Sequence, residues 1–275
     1  MTTISILIPC YNVGKYINDT FKSIESQNYD INLLKIICVD DGSTDNTLAI
    51  LKKWQEKLGE KIVTVISQKN KGIYLTRRLL LKDLNTDYAI FLDADDWWDN
   101  NHLHSFSLKF KNSPDIIWQK KFKNWDENEH YKKIPLKFVF GKLGPIRFIK
   151  TTSPLLWDKM LNVNFLKKIN IYEQLPEIDG CVRSEDGFIN LWINSFVKTI
   201  AINRGITYNY RFNPNSIMRN KTSLLTIDDS IRSIRIFYKW KKLWRKNRQT
   251  KVAFNKFWRN IINDINGLFR RSGEI

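Results

Sequence analysis

Ile4-Ser-Ile-Leu-Ile-Pro-Cys-Tyr-Asn12 is a short apolar run stopped by proline and followed by an aromatic and an amide. Three later stretches repeat the plan. Residues 33–39 end in Asp40-Asp41-Gly42-Ser43-Thr44-Asp45, residues 62–66 lead to Asn70-Lys71-Gly72, and residues 88–92 close on Asp93-Ala94-Asp95-Asp96. Short runs rich in β-branched residues and bounded by turn formers read as buried strands. Between them, residues 16–26 set Ile17, Thr20, Phe21 and Ile24 on one helical face, and residues 44–58 do the same with Leu48, Ile50, Leu51 and Trp54. Strand and helix therefore alternate through the first hundred residues, which predicts an α/β fold: a mostly parallel central sheet with right-handed crossovers and helices on both faces. In open sheets of this kind ligands lie beyond the carboxyl ends of the strands. The loops after Ile8, Val39, Ile66 and Leu92 are thus where chemistry is expected.

Working outward, residues 101–215 are less periodic; residues 188–196 read as a helix and 200–210 as extended chain. The 275 residues are enough for one large α/β domain with an appendage, and 43% apolar with 27% charged residues excludes both a disordered chain and a membrane-spanning one. Cys10, Cys38 and Cys181 lack the paired spacing of a zinc site or a disulfide framework, so inert thiols in a reducing compartment are expected. The net charge of +17 is unevenly placed: residues 231–275 hold 13 basic residues against Asp264 and Glu274, and so carry +11 of it. In that tail Phe254, Phe257, Trp258, Ile261, Ile262, Ile265, Leu268 and Phe269 recur at three- and four-residue steps, an apolar stripe on a basic helix.

The chemistry-bearing residues gather at the strand ends. Acids crowded there repel one another and stand only if a cation or hydrogen-bond donors compensate. If Asp93-Ala94-Asp95 continues the strand, both carboxylates face one side, within reach of one hard divalent ion that keeps waters and binds phosphates. Each element also has a plain reading. Asp-Asp-Gly-Ser is a common turn and helix cap, Asn70-Lys71-Gly72 an ordinary turn, and Tyr11 a packing residue. Four such loops on one ligand-binding edge, offering an aromatic, acids and cations together, favour a nucleotide or sugar-phosphate site.

Taken jointly, SILIPCYN, VDDGSTDNT, NKG followed by Arg77, and FLDADDWW resemble the inverting family 2 glycosyltransferases of the GT-A fold. The likeness is strongest over about the first hundred residues and continues through Trp157-Asp158-Lys159, Ser184-Glu185-Asp186-Gly187 and YNYRFNPNSI, fading after about Ser216. It implies that Pro9, Tyr11, Asn12 and Asp41 line the nucleotide base, and that Arg77, with Lys71 and Gly72, approaches the base or diphosphate. It implies also that Asp93 holds the ribose or a metal-bound water, and that Asp95, with Asp93, binds Mn2+ or Mg2+. The Glu185, Asp186 pair resembles the acceptor-side acid element, with Asp186 as general base; the alternative is that the two acids only cap a helix. Trp157 reads either as a sugar-stacking residue beside Lys159 on the acceptor side or as core. Two departures stand out: Arg78 follows Arg77 where the family often has Asn, and Arg211, Phe212 and Asn213 occupy the region where many members have a histidine.

The expected organisation is therefore a catalytic domain over 1–220, divided into a nucleotide-binding half (1–100) and an acceptor-binding half (101–220), and a basic amphipathic helical extension over 221–275. The extension reads first as a device for an anionic membrane surface, next as a helical pair packing on the domain or on a second copy of the chain in a homodimer, and last as a nucleic-acid binder. The expected activity is inverting transfer of a sugar from a nucleotide donor, UDP-linked, to a glycan, lipid-linked or protein acceptor. The competing readings are a non-catalytic nucleotide-binding or scaffold protein and a nucleotidyltransferase, although the latter's glycine-rich opening loop is missing. No basic leader precedes the first apolar run and no run approaches the roughly 20 residues of a membrane span, which places the expected protein in the cytoplasm, peripheral on the inner face of the membrane.

Overall fold

The structure, a computed structural model, describes residues 1–135, 155–175, 177 and 185–214. The basic extension over 221–275, Cys181 and Ser184 lie outside the described residues. The chain begins with β1 (Ile4–Cys10), α1 (Ile17–Glu25), β2 (Leu34–Asp40), α2 (Thr47–Leu58), β3 (Val63–Ser67), α3 (Ile73–Leu80) and β4 (Tyr88–Phe91). It continues through β5 (Trp97–Trp98), α4 (His102–Ser107), β6 (Ile116–Gln119), β7 (Lys121–Trp125) and β8 (Tyr131–Pro135). The last described elements are β9 (Lys159–Asn162), α5 (Val163–Lys168), α6 (Ile171–Gln174), α7 (Glu185–Phe196), β10 (Ile200–Asn203) and β11 (Tyr208–Tyr210).

The main sheet has the order β10-β6-β9-β4-β1-β2-β3, and only β9 runs against its neighbours. The expected parallel sheet is present, with α1, α2 and α3 as crossovers. Central β1 and β4 are buried at every position, as continuous apolar strands covered on both faces should be, whereas edge strand β3 is fully buried only at Val63. Pro9 does not end β1, which pairs with β2 through Cys10 while its ladder with β4 stops at Leu7. Beyond Leu7 the strand is bordered on one side only, a setting that tolerates proline. Phe21 stacks on Trp54 at 5.0 Å, fastening α1 to α2 over the sheet.

A smaller sheet, β5-β11-β7-β8, stands beside the first. Residues 200–210, expected as one extended stretch, split between the sheets: β10 pairs with β6, Asn203 bends the chain by accepting from the Gly205 amide at 3.0 Å, and β11 joins β5 and β7. That crossing carries residues 208–213 to the end of β4, where the acids lie.

Candidate active site

The four loops at the carboxyl edge are tied to one another in series. In the first, Tyr11 stands half exposed, while Asn12, in the left-handed region at φ 51°, turns its amide toward the second loop. Its Oδ1 accepts from the Thr44 amide at 2.8 Å, and its own amide donates to Ser43 Oγ at 3.0 Å. Ser43 and Thr44, read in the sequence as a helix cap, thus serve this junction; the α2 start is held by Asp45, whose Oδ1 accepts from the Thr47 amide at 2.9 Å. Gly42 is needed here. Its φ is +73°, and a Cβ would meet the Asn70 amide nitrogen at 2.8 Å.

Asp41 ties the second loop to the third. Its side chain is buried, and it accepts from the Lys71 amide (2.8 Å), the Gly72 amide (2.8 Å) and Gln68 Nε2 (2.7 Å). A carboxylate has about four acceptor sites, and three of them are used among the described residues to organise the chain. Lys71 itself is exposed.

From α3, Arg77 reaches the fourth loop. Only 5% exposed, it donates through Nη2 to Asp93 Oδ1 at 2.9 Å and through Nη1 to Glu185 Oε1 at 2.8 Å, and Nη1 also pairs with Asp186 Oδ1. Burial disfavours its charge, but Asp93 and then Glu185 outweigh this and raise its pKa above the ordinary arginine value. The acids at the start of α7 are therefore joined to the acid after β4 and do not merely face their own helix terminus. Arg78 turns the other way: its Nε donates to the Leu175 carbonyl at 2.7 Å, and its guanidinium lies 4.1 Å from the Tyr172 ring centre.

The fourth loop departs from the expected geometry. Asp93-Ala94-Asp95 does not continue β4; the Asp96 amide bonds back to the Asp93 carbonyl at 3.0 Å and closes a turn. The turn still crowds the acids. Burial, then the neighbouring Asp93 charge, push the Asp95 carboxyl above the usual range. Asn213 Nδ2 donates to Asp95 Oδ2 at 2.8 Å, and Arg211 Nε donates to the Asp95 carbonyl at 2.7 Å. Asp96, which no sequence argument singled out, is the anchor for this arrangement. It accepts from the Tyr208 hydroxyl and from the Arg211 amide, each at 2.7 Å, and burial with its acidic neighbours holds its pKa well up. Arg211 lies between Trp97 (4.4 Å) and Tyr16 (5.3 Å), with Asp19 at 3.0 Å. The contacts of Asp96 cross 112 to 115 residues, so no local spacing signals them.

Asp93 and Asp95 offer the hard oxygen donors that suit Mn2+ or Mg2+. Among the described residues no group of three His, Cys, Asp or Glu side chains is arranged to hold a metal. Such an ion commonly takes one or two carboxylates and completes its shell from waters and substrate phosphates. Asp93, Asp95, Glu185 and Asp186 outnumber the two guanidiniums that meet them, Arg77 and Arg211, and a cation would offset the burial and the neighbouring Asp93 charge that raise the Asp95 pKa. The donor set fits the ion.

Trp157 and Lys159 do not present themselves to an acceptor. Trp157 is 3% exposed, stacked on Tyr208 at 4.2 Å and edge-on to Phe122 at 5.0 Å. Lys159 is fully buried, with Nζ on Asp158 Oδ1 and on the Leu155 carbonyl, both at 2.5 Å. Asp158 is held by Trp118 Nε1 at 2.9 Å, and burial lowers the Lys159 pKa. Both side chains are packed into the interior, Lys159 within strand β9, which is buried at every position.

A mostly parallel sheet with one antiparallel strand, a small second sheet, and acids collected where β4 ends define a GT-A type of α/β fold. The chain belongs to glycosyl transferase family 2, whose match spans residues 5–168, more than half of its length. It is 26% identical over 285 residues to the processive diacylglycerol beta-glycosyltransferase of Mycoplasma pneumoniae, covering 93% of this chain and 78% of that one. Among solved structures, residues 1–349 of Staphylococcus aureus TarS in complex with UDP-GlcNAc align with a TM-score of 0.65 at 21% identity, over 86% of this chain and 69% of that one. The mannosyltransferase PcManGT of Pyrobaculum calidifontis, in complex with GDP-Man and Mn2+, aligns with a TM-score of 0.58 at 14% identity, over 88% of this chain and 64% of that one. At these identities the structural likeness is one of fold. No helix among the described residues is long and apolar enough to cross a membrane.

Proposed function

We propose that the chain transfers a sugar from a nucleotide donor, UDP-linked, to a hydroxyl of a lipid-linked or cell-surface glycan acceptor, with inversion at the anomeric carbon. One observation carries this reading: within the fold of its family, the acid after β4 and the acid pair opening α7 meet at a single buried guanidinium. An inverting transfer needs both. On the donor side Tyr11 offers an exposed face to the base, and the Pro9 to Asn12 turn shapes its floor. Asp41 would accept from the base, and the exposed Lys71 would supply a cation to the phosphates. Asp93 and Asp95 would hold Mn2+ or Mg2+, which supplies neutralisation of the departing diphosphate when bound. On the acceptor side Asp186 takes the proton of the attacking hydroxyl from the face opposite the leaving group.

The choice of a uridine donor and a glycolipid or glycan acceptor is supported by the names of the related proteins. Peripheral attachment through residues 221–275 is part of the same proposal, supported by their charge and apolar stripe. The test is thermal denaturation of the chain with a series of nucleotide sugars, with and without Mn2+, followed by product analysis with the stabilising donor. A ligand that binds only the native state raises the midpoint by mass action. One UDP-sugar that stabilises in a metal-dependent way and is consumed with release of UDP is the expected result. Absence of stabilisation by every nucleotide sugar would refute the reading.

A further inference from the structure

Arg77 is held differently from a residue that awaits a ligand. Its guanidinium is a rigid planar fork, with Nη1 on Glu185 and Asp186 and Nη2 on Asp93, and Nε has no partner among the described residues. The side chain is 6% exposed. Both outer nitrogens are therefore turned to carboxylates that arrive from two different parts of the chain, 16 and 108 residues away. An arginine set against a diphosphate would be expected to keep an accessible edge for bidentate contact with it. This one spends its fork on the protein.

We infer that Arg77 is a positioning residue, which fixes the acceptor-side acids of α7 against the donor-side Asp93, and that it is not a ligand of the nucleotide. The inference rests on the proposed transferase reading and departs from the resemblance, which set Arg77 against the base or diphosphate. Its physical content is geometric. The base must stand opposite the leaving group, and those two places are on separate elements, α7 and the loop after β4. A planar cation with donors on both outer nitrogens sets their separation and orientation together. A lysine at position 77 would bring the charge but, as a point donor on a flexible stem, could not set the same angle.

The decisive comparison is Arg77→Lys against wild type, with UDP affinity measured by calorimetry in Mn2+ and transfer measured separately. The expected result is a UDP Kd within about threefold of wild type and a kcat lower by about 10²-fold, the loss typical of a catalytic group displaced by about an ångström. Weakening of UDP by tenfold or more with kcat retained would make Arg77 a donor ligand and overturn the inference; so would wild-type values for both. Glu185→Gln keeps the shape of the site and leaves Arg77 two carboxylates, and serves as the second variant. It should lower kcat with UDP binding kept, and an unchanged kcat counts against the inference. A third readout needs no activity. In thermal denaturation, Arg77→Lys and Glu185→Gln combined should cost less than the sum of the two alone, because they break one contact; additive losses would overturn the coupling. If wild type binds no nucleotide sugar, the transferase reading fails, while this cycle still decides whether Arg77 joins the two elements.

Discussion

Trp157→Ala separates packing from acceptor contact. Truncating a buried tryptophan costs about 3–5 kcal/mol, through lost transfer free energy and the cavity left behind. The upper part of that range applies, because the ring is 3% exposed and stacks on Tyr208 at 4.2 Å with Phe122 edge-on at 5.0 Å. Each such aromatic pair adds about 0.5–1.5 kcal/mol beyond the area buried. For a domain of this size each kcal/mol moves the thermal midpoint by about 2–4 °C, so a fall of about 10–20 °C is expected. Trp157→Phe should lose less than half as much, since it keeps an aromatic ring in the stack. The second consequence is local: Tyr208, no longer braced, carries its hydroxyl away from Asp96 and loosens the turn that holds Asp95. Differential scanning fluorimetry gives the midpoint, and donor-saturated kinetics give kcat and the acceptor KM. A midpoint within about 1 °C of wild type together with a steep rise in acceptor KM would refute the core assignment and return Trp157 to a sugar-stacking role.

Further outcomes follow from the acids and from one histidine. Asp95→Asn should abolish metal-dependent UDP binding, because an amide is a poor ligand for a hard cation, and calorimetry with and without Mn2+ reads this directly. Asp186→Asn should lower kcat by roughly 10² to 10⁴ while UDP binding stays near wild type; collapse of UDP binding would make Asp186 a donor residue. Asp96→Ala leaves the Tyr208 hydroxyl and the Arg211 amide unpaired, at about 1–3 kcal/mol each, so both denaturant midpoint and metal-dependent affinity should fall. Asp96→Asn should be the milder of the two, since burial already favours the neutral carboxyl. His102 is buried, with Nδ1 2.9 Å from Thr207 Oγ1, and burial pushes its pKa down to about 3. The unfolded chain therefore binds this proton first. Its contribution is complete above the ordinary histidine pKa of about 6.5 and is lost as pH falls from there toward 3, a trend that urea titrations from pH 7 to 4 would detect.

The first hundred residues of the fold were legible because their signals are local. Continuous apolar strands, an amphipathic α1 and turn residues at each strand end all speak within a ten-residue window, and β1, β2, β3 and β4 lie where the pattern put them. What stayed hidden acts across the chain. Asp96 is one more acid beside Asp93 and Asp95 until Tyr208 and Arg211 arrive from β11. Trp157 and Lys159 look available for a sugar until strand β9 is seen inserted between β4 and β6. A buried lysine is the less legible of the two, since its neutraliser, Asp158, is adjacent in sequence and reads as an ordinary surface pair. Asp93-Ala94-Asp95 was legible in composition but not in conformation, because strand alternation and a tight turn both bring those carboxylates together.

The antiparallel strand has a consequence for synthesis. β4 borders β1 on one side and β9 on the other, yet β9 lies about seventy residues further along the chain. As the polypeptide leaves the ribosome at about 5–20 residues per second, the row of amides and carbonyls on the outer side of Tyr88–Phe91 waits on the order of several seconds for its partner. During that interval the nascent first hundred residues present an apolar, unpaired strand edge to whatever chain is nearby. Slower elongation before residue 159 would lengthen that exposure, and a chaperone that covers the edge would shorten it. Substitutions in β9 would then show themselves first as inclusion bodies.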